Sequence, residues 1–312
     1  MFPPIEPFAS GHLQLADGNS IFWESSGTPS GKPALYLHGG PGSGLGTGYR
    51  RWFDPAAYRI VALDQRSCGR SRPLITGPSA DLASNTTPAL ISDIEAVREH
   101  LGIEQWLVTG ASWGTTLALA YAQSRQARVT ELVLFAVTTT SAEEVEWITE
   151  SVGRVFPREW EAFESSSRRK PGQRVIDAYY ELLTHPDPGV RDEAARAWCA
   201  WEDTHVSLDP RHTHDARYDD PMFRQVFATL VVHYWKHAAF TPPLLEGVHR
   251  IAHLPAVLIH GRLDVSGPLT TAWQLHKRWP KSELVVVEDE GHGGDAMVEA
   301  AIRAIARFAP RR

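Results

Sequence analysis

A serine, an aspartate and a histidine stand far apart in this chain, each just beyond a short apolar run, and together they form a set for nucleophilic chemistry. Ser112 lies in Gly110-Ala-Ser-Trp-Gly114, between the strand-like run Trp106-Leu-Val-Thr109 and a small-residue helical pattern from Thr115 to Gln123. A serine on so sharp a strand-to-helix turn needs neighbours without side chains, because backbones crowd there. The helix that starts at the turn also points its first N–H groups at developing negative charge. A serine hydroxyl is weak at neutral pH and needs a base, itself held in one tautomer by an acid. The strand–turn–helix context predicts the chain order serine, acid, histidine. Asp264, in His260-Gly-Arg-Leu-Asp264 after the run Val257-Leu-Ile259, is the expected acid. His292, in Glu290-Gly-His-Gly-Gly294 after Leu284-Val-Val-Val287, is the expected base.

The rivals fare worse. Of the 14 histidines, His249 and His253 fall in a connector and His276 on a helix, where packing or solvent accounts for them. Asp289 and Asp295 adjoin the base in sequence and are poorly placed to reach its far side. An oxyanion hole needs two backbone N–H groups. One is expected from Trp113, after the nucleophile, and the other from Gly40 in His38-Gly-Gly-Pro-Gly42, which follows Ala34-Leu-Tyr-Leu37. Glycines in that loop let the backbone approach a substrate, and Gly39 is expected to border it.

The elements that must position these groups alternate. Leu13-Gln-Leu-Ala16 and Ser20-Ile-Phe-Trp-Glu24 flank Asp17-Gly-Asn19, a hairpin signal. The apolar runs named above, with Arg59–Leu63 and Glu131–Leu134, suit buried parallel strands. Helical patterns run from Ser92 to Leu101, with Ser92 as N-cap, from Trp273 to Arg278 and from Ala296 to Phe308. This predicts an α/β chain of the α/β-hydrolase fold: a mostly parallel sheet covered by helices, with an inserted helical cap. Residues 1–140 and 247–312 form the expected core, and 141–246, rich in helical patterns and tryptophan, the cap.

Composition narrows the function. The chain has 312 residues, 43% hydrophobic, and a formal charge of −6. That balance offers nucleic acid or an anionic membrane no electrostatic attraction. Met1-Phe-Pro-Pro-Ile-Glu-Pro7 has neither a basic start nor an apolar stretch, and no run is long enough to span a bilayer. Two cysteines, Cys68 and Cys199, read as reduced thiols, so a cytoplasmic location is expected.

His38-Gly-Gly-Pro-Gly42, Asp64-Gln-Arg-Ser-Cys-Gly-Arg-Ser71 and Ser112-Trp-Gly114, followed by Trp198-Cys-Ala-Trp-Glu202, His233-Tyr234, Gly261-Arg-Leu-Asp264 and Gly291-His292, together resemble the proline iminopeptidase family over nearly the whole chain. The resemblance implies removal, without a cofactor, of an N-terminal residue, preferably proline, from small peptides or amides. It implies that Glu202 holds the substrate's amino group and that Trp235 lines the site. The chain departs from the family pattern at Val231, where a second glutamate is usual, and at Thr138 and Thr149, where aromatic pocket residues are usual. Ser67 stands in place of a glycine. The departures at Val231, Thr138 and Thr149 weaken the expected preference for proline, whereas Ser67 touches only the local turn.

Other readings remain. His212-Thr-His214 and His233-x-x-x-His237 suggest metal ligands but lack an acidic partner at ligand spacing. A carboxylesterase or amidase of the same fold, acting on another substrate, is the main alternative. A scaffold retained only for binding would not need a complete serine, aspartate and histidine set.

Overall fold

The computed structural model describes residues 1–76, 81–206, 208 and 213–310. Eight strands form one sheet: β1 (Ala9–Gln14), β2 (Ser20–Gly27), β3 (Lys32–Leu37), β4 (Tyr58–Leu63), β5 (Trp106–Ala111), β6 (Val129–Phe135), β7 (Ala256–Gly261) and β8 (Ser282–Val287). Their spatial order is β1-β2-β4-β3-β5-β6-β7-β8. The pairs β1–β2 and β2–β4 are antiparallel, and every pair from β4 to β8 is parallel.

Period-two alternation within the central strands divides two cores. Leu35, Leu37, Val61, Leu63, Val108, Leu132, Leu134 and Leu258 face one side of the sheet. Ala34, Ile60, Ala62, Leu107, Val133, Val257 and Ile259 face the other. Because both faces are covered, these strands read as nearly continuous apolar runs. Helices α1 (Thr87–His100), α2 (Trp113–Ser124) and α8 (Thr270–Arg278) contribute to the first core, and α9 (Asp295–Arg307) to the second. Each buried Val, Leu or Ile contributes on the order of 1.5–3 kcal/mol through its removal from water.

Between β6 and β7 the described residues hold α3 (Ala142–Thr149), α4 (Pro157–Ser167), α5 (Val175–Leu183), α6 (Pro188–His205) and α7 (Pro221–Lys236). They pack around their own cluster, which includes Phe163, Tyr179, Trp198, Trp201 and Val231. Helix α7 is latched to the loop before α1: His233 Nε2 lies 2.8 Å from the Asn85 carbonyl oxygen, and the Tyr234 hydroxyl donates to Asn85 Oδ1 at 2.5 Å.

Helix α1 begins five residues before the expected Ser92 start. Thr86 is the N-cap, its side chain accepting from the Ala89 N–H, and Pro88 sits in the first turn, where its missing N–H costs nothing. Ser92 is interior, its hydroxyl donating back to the Pro88 carbonyl at 3.1 Å. Ser67 adopts φ 65°, a left-handed conformation that explains why glycine is usual in this loop.

The loop after β4 is anchored by an ion pair almost without solvent contact. Arg66 Nε and Nη2 donate to the two Asp93 oxygens at 2.8 and 2.6 Å. Burial raises the Asp93 carboxyl above its ordinary value even though Arg66 pulls it down. Removing one partner of such a pair strands the other charge. Asp93→Ala is therefore expected to cost about 3–5 kcal/mol in urea unfolding, and a paired apolar replacement of Arg66 and Asp93 to recover most of it.

Candidate active site

Ser112 has φ 54° and ψ −124°, a conformation that non-glycine residues rarely adopt. It persists because the surroundings over-determine it. The Ser112 N–H donates to the Phe135 carbonyl at 2.9 Å, and the Ser112 carbonyl accepts from the Thr115 N–H at 2.7 Å and the Thr115 hydroxyl at 2.8 Å. A Cβ on Gly110 would collide with the Gly114 carbonyl, and one on Gly114 with the Leu37 carbonyl at the end of β3. Both glycines are there for close approach.

The expected trio meets at the carboxyl ends of three strands. His292 Nε2 lies 2.8 Å from Ser112 Oγ, and His292 Nδ1 lies 2.8 Å from Asp264 Oδ2. Asp264 is fully buried, and its second oxygen accepts from the Gly267 N–H at 2.9 Å. Asp289 and Asp295 are exposed and take no part. The loops bearing Asp264 and His292 press backbone on backbone: the Leu263 N–H donates to the Glu290 carbonyl at 2.9 Å, and a Cβ on Gly261 would strike the Gly291 carbonyl. Glu290 then caps α9 by accepting from the Ala296 and Met297 N–H groups, both at 2.8 Å, which fixes the far side of the histidine loop.

Charge is arranged to keep the histidine basic. Burial pulls His292 down, but the Asp264 carboxylate, its hydrogen bond and Glu202 together hold it above the ordinary histidine value. Asp264 is driven up by burial and more strongly down by His292 and its other partners, so it stays ionised.

Two hollows meet at Ser112 and His292. The first, about 550 Å³, is bordered by Thr138, Val145, Ile148, Glu202 and Trp235. The second is a cleft of about 1000 Å³, open to solvent and bordered by Tyr36, Gly39, Ser43, Arg217 and Phe227. Gly40 borders both. Among the described residues, neither the Gly40 nor the Trp113 N–H donates to a protein acceptor.

Glu202 lies on α6, nine-tenths buried, and borders both hollows. Its Oε1 accepts from the Trp198 indole at 3.0 Å, and its Oε2 faces His205 Nε2 at 3.5 Å. Burial pushes Glu202 up to about 7 against the downward pull of Trp198 and His292. Burial also pushes His205 down to about 3, so that imidazole is neutral and offers Glu202 no positive charge. Among the described residues this carboxylate has no Lys or Arg partner.

The departures from the family pattern look different in three dimensions. Thr138 borders the first hollow. Thr149 does not: it is buried, and its hydroxyl donates to the Val145 carbonyl at 2.7 Å. Val231 is likewise sealed in the cluster of α3–α7. Glu144, to which no role was given from sequence, borders the hollow, but its oxygens are occupied by Thr139, Ser141 and Thr271. It completes the capping box of α3. His205 also escaped notice, although its spacing of three from Glu202 on a helix placed it on the same face.

Of the possible metal ligands, His212 lies outside the described residues. His214 is half-exposed and bonds Asp203 at 2.6 Å and Asp219 at 3.2 Å. His237 Nδ1 approaches the His233 carbonyl at 2.8 Å. Among the described residues no group of three or more His, Cys, Asp or Glu side chains is arranged so that it could hold a metal ion, and no helix is long and apolar enough to cross a membrane.

Comparison with known proteins agrees with this fold. The family described as alpha/beta hydrolase fold matches residues 32–294. A probable proline iminopeptidase of Streptomyces coelicolor is 45% identical over 99% of this chain and 98% of its own length. The proline iminopeptidase of Arabidopsis thaliana is 41% identical over 95% and 78%, and that of Xanthomonas citri 40% over 99% of each. Among solved structures, a proline iminopeptidase of Mycobacterium smegmatis superposes with a TM-score of 0.65 at 18% identity, covering 96% of this chain and 98% of that one. An esterase from Exiguobacterium antarcticum gives 0.58 at 19%, covering 96% and 99%. At such identities the two structures speak for the fold alone.

Because Asp264 contributes to holding His292 above its ordinary value, activity is expected to fall as pH drops through that raised value. Asp264→Asn removes the attraction, so the acidic limb should move to lower pH while the maximal rate falls by several orders of magnitude. A pH profile of kcat/KM for both proteins measures the shift, and an unmoved limb would refute the pairing.

Proposed function

This chain belongs to the proline iminopeptidase family within the α/β-hydrolase fold, and we propose that it is a serine aminopeptidase releasing an N-terminal residue, preferably proline, from small peptides or amides. The observation that carries the reaction is the unbroken chain of contacts from Ser112 Oγ through His292 to Asp264, at 2.8 Å for each link. The one that carries the substrate class is Glu202: a buried carboxylate beside the nucleophile, without a cationic partner among the described residues. A substrate ammonium is the charge that this position lacks, and a charge-assisted hydrogen bond there rejects blocked N-termini.

In this reading Ser112 Oγ attacks the carbonyl carbon of the first residue while its proton passes to His292 Nε2. The oxygen that becomes negative accepts from the Gly40 and Trp113 N–H groups. His292 then returns the proton to the departing amine, the C–N bond breaks, and an ester to Ser112 remains. A water molecule, giving its proton to His292, attacks that ester; His292 returns the proton to Ser112 Oγ as the ester C–O bond breaks, which frees the amino acid and restores the serine. The acyl residue occupies the hollow bordered by Val145, Ile148 and Trp235, and the leaving peptide extends along Arg217 and Tyr36. Thr138 gives this pocket a more polar wall than an aromatic would, which loosens selection for the pyrrolidine ring. The two buried free thiols, Cys68 and Cys199, suit the cytoplasm.

Ser112→Ala is expected to abolish turnover and labelling by a fluorophosphonate without altering the circular dichroism. Glu202→Gln should raise KM about tenfold or more for prolyl amides, the equivalent of one charge-assisted bond. It should change little for N-acetyl-prolyl substrates, which are already poor. Equal turnover of free and acetylated substrates by the unaltered enzyme would instead establish the esterase or amidase reading.

A further inference from the structure

Gln65 follows β4 in the loop that begins at Asp64 and is almost fully buried. Its carbonyl accepts from Cys68 within its own loop, and its three other hydrogen bonds go to residues beside the two N–H groups assigned to the oxyanion. Its side-chain Nε2 donates to the His38 carbonyl at 2.9 Å. Its Oε1 accepts from the Trp113 indole N–H at 2.8 Å. Its backbone N–H donates to His38 Nε2 at 3.1 Å. The amide orientation is fixed by these partners, since the reverse would set N–H against N–H and oxygen against oxygen.

The third bond also settles the His38 tautomer. Nε2 accepts, so the proton is on Nδ1, which lies 2.9 Å from the Gly39 carbonyl and donates to it. Burial holds His38 below the ordinary histidine value, in keeping with a neutral ring. The Gly39 carbonyl and the Gly40 N–H belong to one planar peptide unit and point in opposite directions. Fixing the carbonyl therefore aims the N–H. The second donor is built alike: the Ser112 carbonyl, in one peptide unit with the Trp113 N–H, is held by Thr115. Among the described residues, Gln65 is the side chain hydrogen-bonded to both halves. On its other side the Trp113 ring rests against Tyr234 of α7, with centroids 4.6 Å apart.

We propose that Gln65 is a positioning residue that sets the separation and aim of the Gly40 and Trp113 N–H groups, and so stabilises the tetrahedral intermediate while touching no substrate. The inference rests on the assignment of Ser112, Gly40 and Trp113 made above. Glutamate at this position would keep the acceptor for Trp113 but set a carboxylate oxygen against the His38 carbonyl. Leucine would remove both bonds at similar volume. Catalysis is sensitive to such displacements because oxyanion donors act only at short range.

The test uses Gln65→Glu, Gln65→Leu and Trp113→Phe, the last sparing the backbone N–H, in the full-length enzyme. For each, kcat and KM are measured on a prolyl amide, with the inhibition constant of prolyl boronic acid, which forms a tetrahedral adduct with a serine, and the binding of free proline. The expected result is a kcat loss of about 10- to 100-fold, a boronate affinity lowered by a similar factor, and KM and proline binding within about threefold. Losses for Gln65→Leu and Trp113→Phe should not multiply in the double variant, because Gln65→Leu already breaks the bond to the indole that Trp113→Phe removes. A folded Gln65→Leu with unchanged kcat and boronate affinity, or with only a raised KM, would overturn the proposal. If Gln65→Leu fails to fold, Trp113→Phe decides by the same readouts. Ser112→Ala separates the underlying reading: boronate affinity that survives it means that the nucleophile, and not the role of Gln65, was misassigned.

Discussion

The site depends on a backbone that would not hold its shape alone. Ser112 sits at φ 54° and ψ −124°, and relief of that strain would swing its hydroxyl away from His292. The turn is closed because α2 begins almost in contact with the end of β3, a distance only glycine at position 114 permits. The same approach brings the loop after β3 against the nucleophile. A Cβ on Gly39 would lie 3.3 Å from the Ser112 Cβ. Strain at the elbow, the route of the His38–Gly42 loop and the meeting of two free N–H groups are thus one packing solution. The chain reaches β5 from β4 by crossing to the far side of β3, so the loops after β3 and β5 part at this point, where open α/β sheets bind their ligands.

A second contact of the same kind supports the acid and the base. Asp264 and His292 lie on separate loops, yet Gly261 and Gly291 let those loops touch through their backbones. His260 helps: its Nδ1 accepts from the Val137 N–H at 3.0 Å, so its Nε2 carries the proton and donates to the Gly267 carbonyl at 2.7 Å. That places the Gly267 N–H on Asp264 and leaves the other carboxylate oxygen for His292. Glycine at the contact and a fixed tautomer behind it do for the acid what Gly114 and Gln65 do for the nucleophile.

How much of this was legible in the sequence follows from the range of each force. Strands β3 to β7 were readable because burial leaves a nearly uninterrupted apolar run, and the edge strand β8 because Leu284–Val287 is apolar although only half-buried. The meeting of Ser112, His292 and Asp264 was readable because the elbow and the glycine-flanked loops carry their constraint in adjacent residues. The start of α1 was missed because Ser92 imitates a cap, whereas Thr86 and Pro88 mark the real one with a signal spread over the first turn. Thr149, expected at a pocket position, is sealed away, as is Val231, expected where the family carries an acid, because a helical position specifies a face only once the partner of that face is known. Gln65 was quoted within its motif without a role and His205 was passed over, since their partners His38, Trp113 and Ser266 come from distant segments. His205 Nδ1, for instance, lies 2.7 Å from Ser266 Oγ across 61 positions of sequence.

The electrostatics join binding to chemistry. Glu202 raises His292, and His292 lowers Glu202, so the two groups share one field within the hollow. An ammonium seated on Glu202 would cancel most of the attraction that this carboxylate exerts on His292. The base would then be deprotonated more readily in the complex than in the free enzyme, leaving Asp264 as its main support. A substrate without that charge would leave the attraction in place and gain no ion pair. In the proposed reading, the position of Glu202 would therefore favour a free N-terminus twice, once in binding it and once in readying the base. This arrangement requires a carboxylate that is buried but without a permanent cation, which is why the neutral pairing with His205 matters. A lysine or arginine in its place would have ionised Glu202 already and left nothing for the substrate to change.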